Sequence, residues 1–556
     1  MRVAQGLEVP MRDGVVLRAD AYLPDAERPV PAILSRTPYD RSFPLTPVAA
    51  IDPEHATEAG FALVCQDVRG QHGSDGQFTP FKTEGPDGYD TVEWVAAQPW
   101  CSGAVGMAGR SYPAATQWRA AVEQPPHLRA IFPVLVGSDL YDGWIYQGGA
   151  FELGFNLFWV HLMTSPKARG SLDEHYRHLP ISDPPLLADS PAGDFYREWI
   201  AHPTYDEHWR RLSLRGRYGE IDVPAFNVGG WFDIFLGGTL ENFARLRGQG
   251  GSPRSRSGTR LLVGPWGHGT AFGSFPDHRF KEFGTSGNVD LADLQLRFFE
   301  AHLGSGDEAR DEAPVRIFVM GENIWRDEWD WPLARATTEH WFLHSRGDAA
   351  GGGGGLSPEA PGAEPEDEYA YDPRDPAPTV GGPISLPGKM MRPSAGPLDQ
   401  TALEERPDVL VYSSEPLEAP LEVTGPLELV LYAATSARDT DFIGKLCDVD
   451  PDGRSRILAE GVIRARYREG FEQAIPVAPD RVNEYRIYLV ATSNVFLPGH
   501  RIRLDVTSSS FPRFDRNAGS GNTVGKDTED SLTTARQRIF HDADRASHLL
   551  LPVVER

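Results

Sequence analysis

The chain has little cysteine, a deficit of positive charge and no long apolar run. Cys65, Cys101 and Cys447 are the 3 cysteines among 556 residues. They are odd in number and widely separated, so no disulfide framework is expected and a reducing, cytoplasmic setting is the default. Lys+Arg number 54 against Asp+Glu 79, for a formal net charge of −25. That balance argues against nucleic acid and an anionic membrane as main partners, because both need a basic footprint. It leaves a small substrate unconstrained, since the field of an active site is local. No stretch approaches the roughly eighteen apolar residues of a membrane-spanning helix. The opening MRVAQGLEVP lacks the charged-then-apolar pattern of a signal peptide, and no repeat of solenoid or propeller period is visible.

What is present is a well-packed globular composition, 40% hydrophobic and 10% aromatic, at a length that predicts about two or three domains. The first third alternates apolar strands with amphipathic segments. Strands are expected at 15–23, 31–35, 61–66, 104–108 and 130–136, and helices at 87–98 and 111–123. This rhythm implies a mostly parallel sheet covered by helices on both faces. Near Ser138 it breaks. Residues 138–216 are rich in Trp, Phe, Tyr and His at helical spacing, as expected of an inserted cap. Strands resume at 223–229 and 260–264, followed by a helix at 289–303 and a strand at 315–320. The segment 346–367, with glycines at 351–355, reads as a flexible surface loop. Beyond it the pattern is all β, with alternating runs at 427–433, 457–464, 484–491 and 501–508 and a hairpin signal at Asp452-Gly453. Many short strands broken by Gly and Pro suggest a sandwich or jelly roll. The expected fold class is therefore α/β: an α/β-hydrolase core at 1–137 and 217–335, a helical cap at 138–216 and a C-terminal all-β jelly roll at 336–556.

The chemistry centres on Gly109-Arg110-Ser111-Tyr112-Pro113-Ala114, directly after the apolar run AVGMA. A serine hydroxyl attacks only when it is exposed, oriented and served by a base. A sharp strand-to-helix turn lifts it above the sheet, small neighbours let strand and helix approach, and the first helical N–H groups face developing negative charge. The second small residue is Ala114 where the common pattern has glycine. Helix capping is the competing role for Ser111. A base and an orienting acid should follow in the order Ser, acid, His. Among 16 histidines, His268 stands out because it leaves the strand at 260–264. Asp233 leaves the strand at 223–229 in the same way, although a helix cap would also explain it. Carboxyl ends of strands are where sites gather in open α/β sheets. Tyr39, after the strand at 31–35, could supply an oxyanion donor beside the Tyr112 amide. The segment GSGNTVGKD has the wrong spacing for a phosphate loop. The pairs His175/His178 and His340/His344 lack the companions of a metal site.

Longer stretches carry a family resemblance. VPMRDGVVLRADAYLP, DVRGQHGSDGQF, QPWCSGAVGMAGRSY, GPWGH, RIFVMGENIWRDEWDWPL, DTDFIGKLCDVDPDGR and ATSNVFLPGHRIRLDVTSSSFPRFDRN resemble the cocaine esterase-like (CocE/NonD) acyl hydrolases almost end to end. That group is related to X-Pro dipeptidyl peptidases, α-amino-acid ester hydrolases and glutaryl acylases. The resemblance implies a triad of Ser111, Asp233 and His268, and an oxyanion held by the Tyr39 hydroxyl and the Tyr112 amide. It also implies an aromatic acyl pocket at Trp144, Trp159 and Phe235. The cap departs from the family pattern after Trp159, so acyl preference does not transfer.

The expected function is hydrolysis of a carboxylic ester, less readily an amide, through an acyl-enzyme, with no metal or organic cofactor. The expected partner is a small-molecule ester or amide, with neither nucleic acid nor membrane, and the sequence leaves a homodimer open. Two alternatives stand. One is an X-Pro dipeptidyl peptidase or α-amino-acid ester hydrolase, for which Asp139, Asp142, Glu152 and Asp206 are candidate holders of a substrate ammonium. The other is a catalytically silent binding protein.

Overall fold

The structure, a computed structural model, describes residues 1–164, 172–188, 190–268, 289–304, 312–386 and 395–555. Its first sheet has ten strands: β1 (Arg2–Pro10), β2 (Val16–Leu23), β3 (Val30–Thr37), β4 (Ala62–Asp67), β5 (Cys101–Arg110), β6 (Leu128–Val134), β7 (Phe226–Phe232), β8 (Arg260–Gly267), β9 (Val315–Val319) and β10 (Ile324–Glu328). Their spatial order is β1-β2-β4-β3-β5-β6-β7-β8-β9-β10. Strands from β4 to β9 run parallel, while β1, β2 and β10 are antiparallel to their neighbours. The chain leaves β3 toward β4 on one side and leaves β5 toward β6 on the other. The crevice at their carboxyl ends is the switch point where doubly wound sheets hold ligands. β4 is buried at every position, as expected of a parallel strand covered on both faces.

Strand limits differ from the sequence reading in an instructive way. The strand expected at 223–229 is displaced to Phe226–Phe232 and runs through Gly229-Gly230. Those glycines read as an ending, yet a Cβ on Gly230 would lie 2.3 Å from the Trp266 carbonyl oxygen. They allow close approach of β8 rather than end β7. β8 likewise passes through Pro265, where the pairing with β7 shifts register between Gly264 and Gly267.

Between β6 and β7 lie a small hairpin (Tyr146–Gln147 with Ala150–Phe151) and the helices Leu153–Thr164, Asp173–Tyr176, Ala192–Ala201 and Glu207–Arg210. The helix Leu153–Thr164, LGFNLFWVHLMT, is apolar around most of its circumference, the mark of a helix enclosed by its surroundings. No helix among the described residues is long and apolar enough to cross a membrane.

The second sheet has twelve strands, from Ala336–His344 to His548–Val554. The Asp452-Gly453 turn joins Asp441–Val449 to Ser455–Arg464, with Gly453 at φ 87°. The flexible loop expected at 346–367 is corrected. Gly354–Ser357 is a strand, antiparallel to Ala336–His344 and parallel to Leu410–Ser413. A Cβ on Gly354 would meet the Val411 carbonyl oxygen at 2.4 Å, so this glycine lets two backbones pack. The two sheets meet directly, through Met320 N–H to the Ser493 carbonyl at 3.0 Å and Val495 N–H to the Met320 carbonyl at 2.9 Å.

Candidate active site

Ser111 stands between β5 and the helix Tyr112–Val122 at φ 62°, ψ −123°, a conformation an L residue holds only when its surroundings enforce it. Gly109, two residues earlier, has φ 146°, and a Cβ there would sit 2.5 Å from Pro113 Cβ. Only glycine permits that crossing. Ala114 is fully buried and accommodates the side of the turn where the common pattern has glycine. The turn carries no side-chain cap bond from Ser111, so the hydroxyl is spared for other partners.

Asp233 follows β7 and His268 follows β8, both at the carboxyl ends of strands that run parallel to β5, the strand that ends at Ser111. His268 Nδ1 is 2.6 Å from Asp233 Oδ2, and His268 Nε2 is 3.1 Å from Ser111 Oγ. An ionised carboxylate can only accept, which assigns the ring proton to Nδ1 and makes Nε2 the acceptor of the serine hydroxyl. Asp233 is 1% exposed, and its Oδ1 accepts the Phe235 amide at 2.8 Å. The carboxylate therefore both organises the turn into the helix Leu236–Gln249 and orients the imidazole.

Tyr39 lies just past β3. Its hydroxyl oxygen accepts the Trp159 indole N–H at 3.0 Å, which leaves its own hydrogen to donate elsewhere. Burial raises the phenol pKa, with Trp159, Arg110 and Ser111 pulling against that rise. A tyrosine so placed stays protonated and remains a donor. The Tyr112 side chain points away, donating to Glu84 Oε1 at 2.8 Å. Only its backbone N–H, the first of the helix and without an intrahelical acceptor, is offered near Ser111.

These groups open on a cavity of about 430 Å³. Trp159 lines it. Trp144 and Phe235, read from the resemblance as pocket residues, are not among the lining residues. They stack on one another at 4.2 Å, and Phe235 stands edge-on to the His268 ring at 4.9 Å, forming a layer behind the wall. The wall itself is Phe155, Phe158, Trp159 and Leu162, one face of the helix Leu153–Thr164 at i, i+3, i+4 and i+7. That spacing was legible in the sequence and went unused. Phe43 and Leu45 complete the mouth, and Phe43, Leu45 and Leu162 are 51%, 39% and 49% exposed. Ile384 and Leu386 extend the lining from the second, all-β region. No Asp or Glu is among the described lining residues. Asp139 accepts from Tyr205 at 3.1 Å, Asp142 pairs with Arg215 at 3.4 Å, Glu152 with Arg513 at 3.4 Å and Asp206 with His202 at 2.6 Å. All four are engaged away from this cavity.

Residues 13–270 match the X-Pro dipeptidyl-peptidase (S15) family, and residues 307–550 match the X-Pro dipeptidyl-peptidase C-terminal non-catalytic domain. Cocaine esterase of Rhodococcus sp. (strain MB1 Bresler) is 38% identical over 580 residues, covering 100% of this chain and 99% of the relative. The chain belongs to the S15 family of serine hydrolases. Two solved structures are similar over nearly the whole chain. An aminopeptidase from the marine sediment archaeon Thaumarchaeota archaeon has a TM-score of 0.85 at 27% identity, covering 100% of this chain and 96% of that one. An α-amino acid ester hydrolase has a TM-score of 0.84 at 26% identity, with coverage of 99% and 96%. As an S15 protein similar to an esterase from end to end, the chain is a serine ester hydrolase with an α/β catalytic region and a C-terminal β domain.

Proposed function

We propose that Ser111 is the nucleophile, His268 the general base and then acid, and Asp233 the residue that holds the imidazole. His268 Nε2 takes the hydroxyl proton as Oγ attacks the ester carbonyl. Asp233 stabilises the imidazolium, and the same proton passes to the departing alkoxide. Water then repeats the sequence on the acyl-enzyme. The Tyr39 hydroxyl and Tyr112 amide receive the oxyanion at each tetrahedral stage. No step calls for a metal or an organic cofactor. The three buried, unpaired cysteines support a reducing compartment, so we place the enzyme in the cytoplasm.

The preferred substrate is an ester with an apolar acyl or alcohol part rather than an α-amino-acyl ester or an X-Pro peptide. The observation that carries this is the lining itself, which has aromatic and aliphatic walls and no described carboxylate to hold an ammonium group. A buried ammonium without such a partner would be strongly disfavoured. A 4-nitrophenyl ester, an α-amino-acyl ester and an X-Pro anilide compared side by side test the reading. The 4-nitrophenyl ester is expected to have the highest kcat/KM by at least about tenfold. A higher value for either ammonium-bearing substrate would overturn it.

A further inference from the structure

Among the described residues, eight large hydrophobic side chains stand exposed, and three of them, Phe43, Leu45 and Leu162, line the cavity that holds Ser111 and His268. Single exposed apolar residues need no explanation, but a cluster at the mouth of a cavity marks a surface that something apolar covers in use. The cluster continues inward. Leu162 is the outer end of the stripe that Phe155, Phe158 and Trp159 form on the helix Leu153–Thr164, and the stripe passes from exposed at Leu162 to buried at Trp159 and Phe155. At the rise of an α-helix its two ends are about 10 Å apart.

The stripe has a direction relative to the reacting groups. At its inner end the Phe155 ring stands edge-on to His268 at 6.1 Å. Farther out, Trp159 donates to the Tyr39 hydroxyl at 3.0 Å. Phe43 and Leu45 follow Tyr39 closely in the chain, and Thr46 just beyond them donates to the Tyr39 carbonyl at 3.1 Å. A leaving alkoxide has to sit beside His268 Nε2 to receive its proton. The rim, gathered on the Tyr39 side, is then left to the other half of the ester, the acyl chain.

We propose that Phe43, Leu45 and Leu162 form a specificity-determining rim for the acyl chain, so that the enzyme favours esters of medium-chain acids over those of short ones. The proposal rests on the esterase reading of Ser111 and deepens it. An extended chain advances about 1.3 Å per carbon–carbon bond. A butyryl chain therefore covers less than half of the stripe, and an octanoyl chain covers most of it.

4-Nitrophenyl butyrate and 4-nitrophenyl octanoate share a leaving group and differ only in four methylenes. Burying one methylene corresponds to about a fourfold gain in kcat/KM. With part of the chain still open to water at the rim, the unaltered enzyme is expected to favour the octanoate by about tenfold to a hundredfold, both esters being assayed below their solubility limits. In the double variant Phe43→Ser, Leu162→Ser the ratio should fall by at least about fivefold. Ile324→Ser, an exposed position outside this cavity, should leave the ratio unchanged. A ratio at or below one in the unaltered enzyme, or one unmoved by the double substitution, overturns the proposal. So does a chain-length preference that is larger between butyl and octyl acetate, which would put the alcohol on the rim. The ratio in the unaltered enzyme needs no variant, so a substitution that fails to fold leaves the test standing. Failure to hydrolyse either 4-nitrophenyl ester would instead contradict the esterase reading beneath it.

Discussion

Tyr39 shows how much one side chain's surroundings decide. A tyrosine in a loop after a strand is ordinarily a packing residue. Here the Trp159 indole donates to its oxygen at 3.0 Å, orienting the phenol and leaving one hydrogen to donate. Removing that donor in Tyr39→Phe should lower kcat by about 10²–10³-fold. The ring and its packing remain, so thermal melting should move little. Steady-state kinetics and a melting curve on the same preparation check this; an unchanged kcat would reduce Tyr39 to packing. The convergence of Ser111, Asp233 and His268 in one hydrogen-bonded chain was readable from sequence because each leaves the carboxyl end of an apolar run. Trp144 and Phe235 were placed one layer too close, since an aromatic against the cavity and one just behind it have the same sequence environment.

At the scale of elements, glycine was the main source of misreading. Gly230 and the glycines before Leu356 were taken as breaks, yet both sites are strands in which a neighbouring backbone lies too close for a Cβ. The physical reason is general: glycine serves turns and close approach equally, and only the neighbour distinguishes them. Buried charge in the β domain was equally hidden. Asp505, on the strand Arg501–Thr507, is fully buried and accepts from Cys447 Sγ at 3.8 Å. Burial, with Glu404 adding to it, raises its carboxyl to about 8. From about pH 4 upward the unfolded chain has released this proton while the folded chain keeps it. The folded state binds more protons in that range, so stability falls as pH rises and levels off above about 8. Asp505→Asn, which cannot ionise, should flatten the decline in Tm between about pH 5 and pH 8. An identical slope in both proteins would show that Asp505 is not the responsible group.

For the whole molecule, the cavity beside Ser111 is a joint product of regions far apart in the chain. β3, β5 and β8 deliver Tyr39, Ser111 and His268, the helix Leu153–Thr164 builds a wall, and Ile384 and Leu386 reach in from the β domain. The buried Arg513 ties these regions together, donating to Gln147 at 2.7 Å and to Glu460 at 2.5 Å. The alternation of strands and helices made the first sheet legible, and period-two runs made the second legible. Their mutual docking left no local pattern, because it depends on contacts between residues more than a hundred positions apart.

The central claim is that Ser111 is the nucleophile poised by His268. A fluorophosphonate reacts only with such an activated serine, and the modified peptide reports which residue it was. The account predicts a single adduct per chain, on the peptide containing Ser111, absent from Ser111→Ala and strongly slowed in His268→Ala. An adduct that persists in Ser111→Ala, or that maps to another serine, would contradict it.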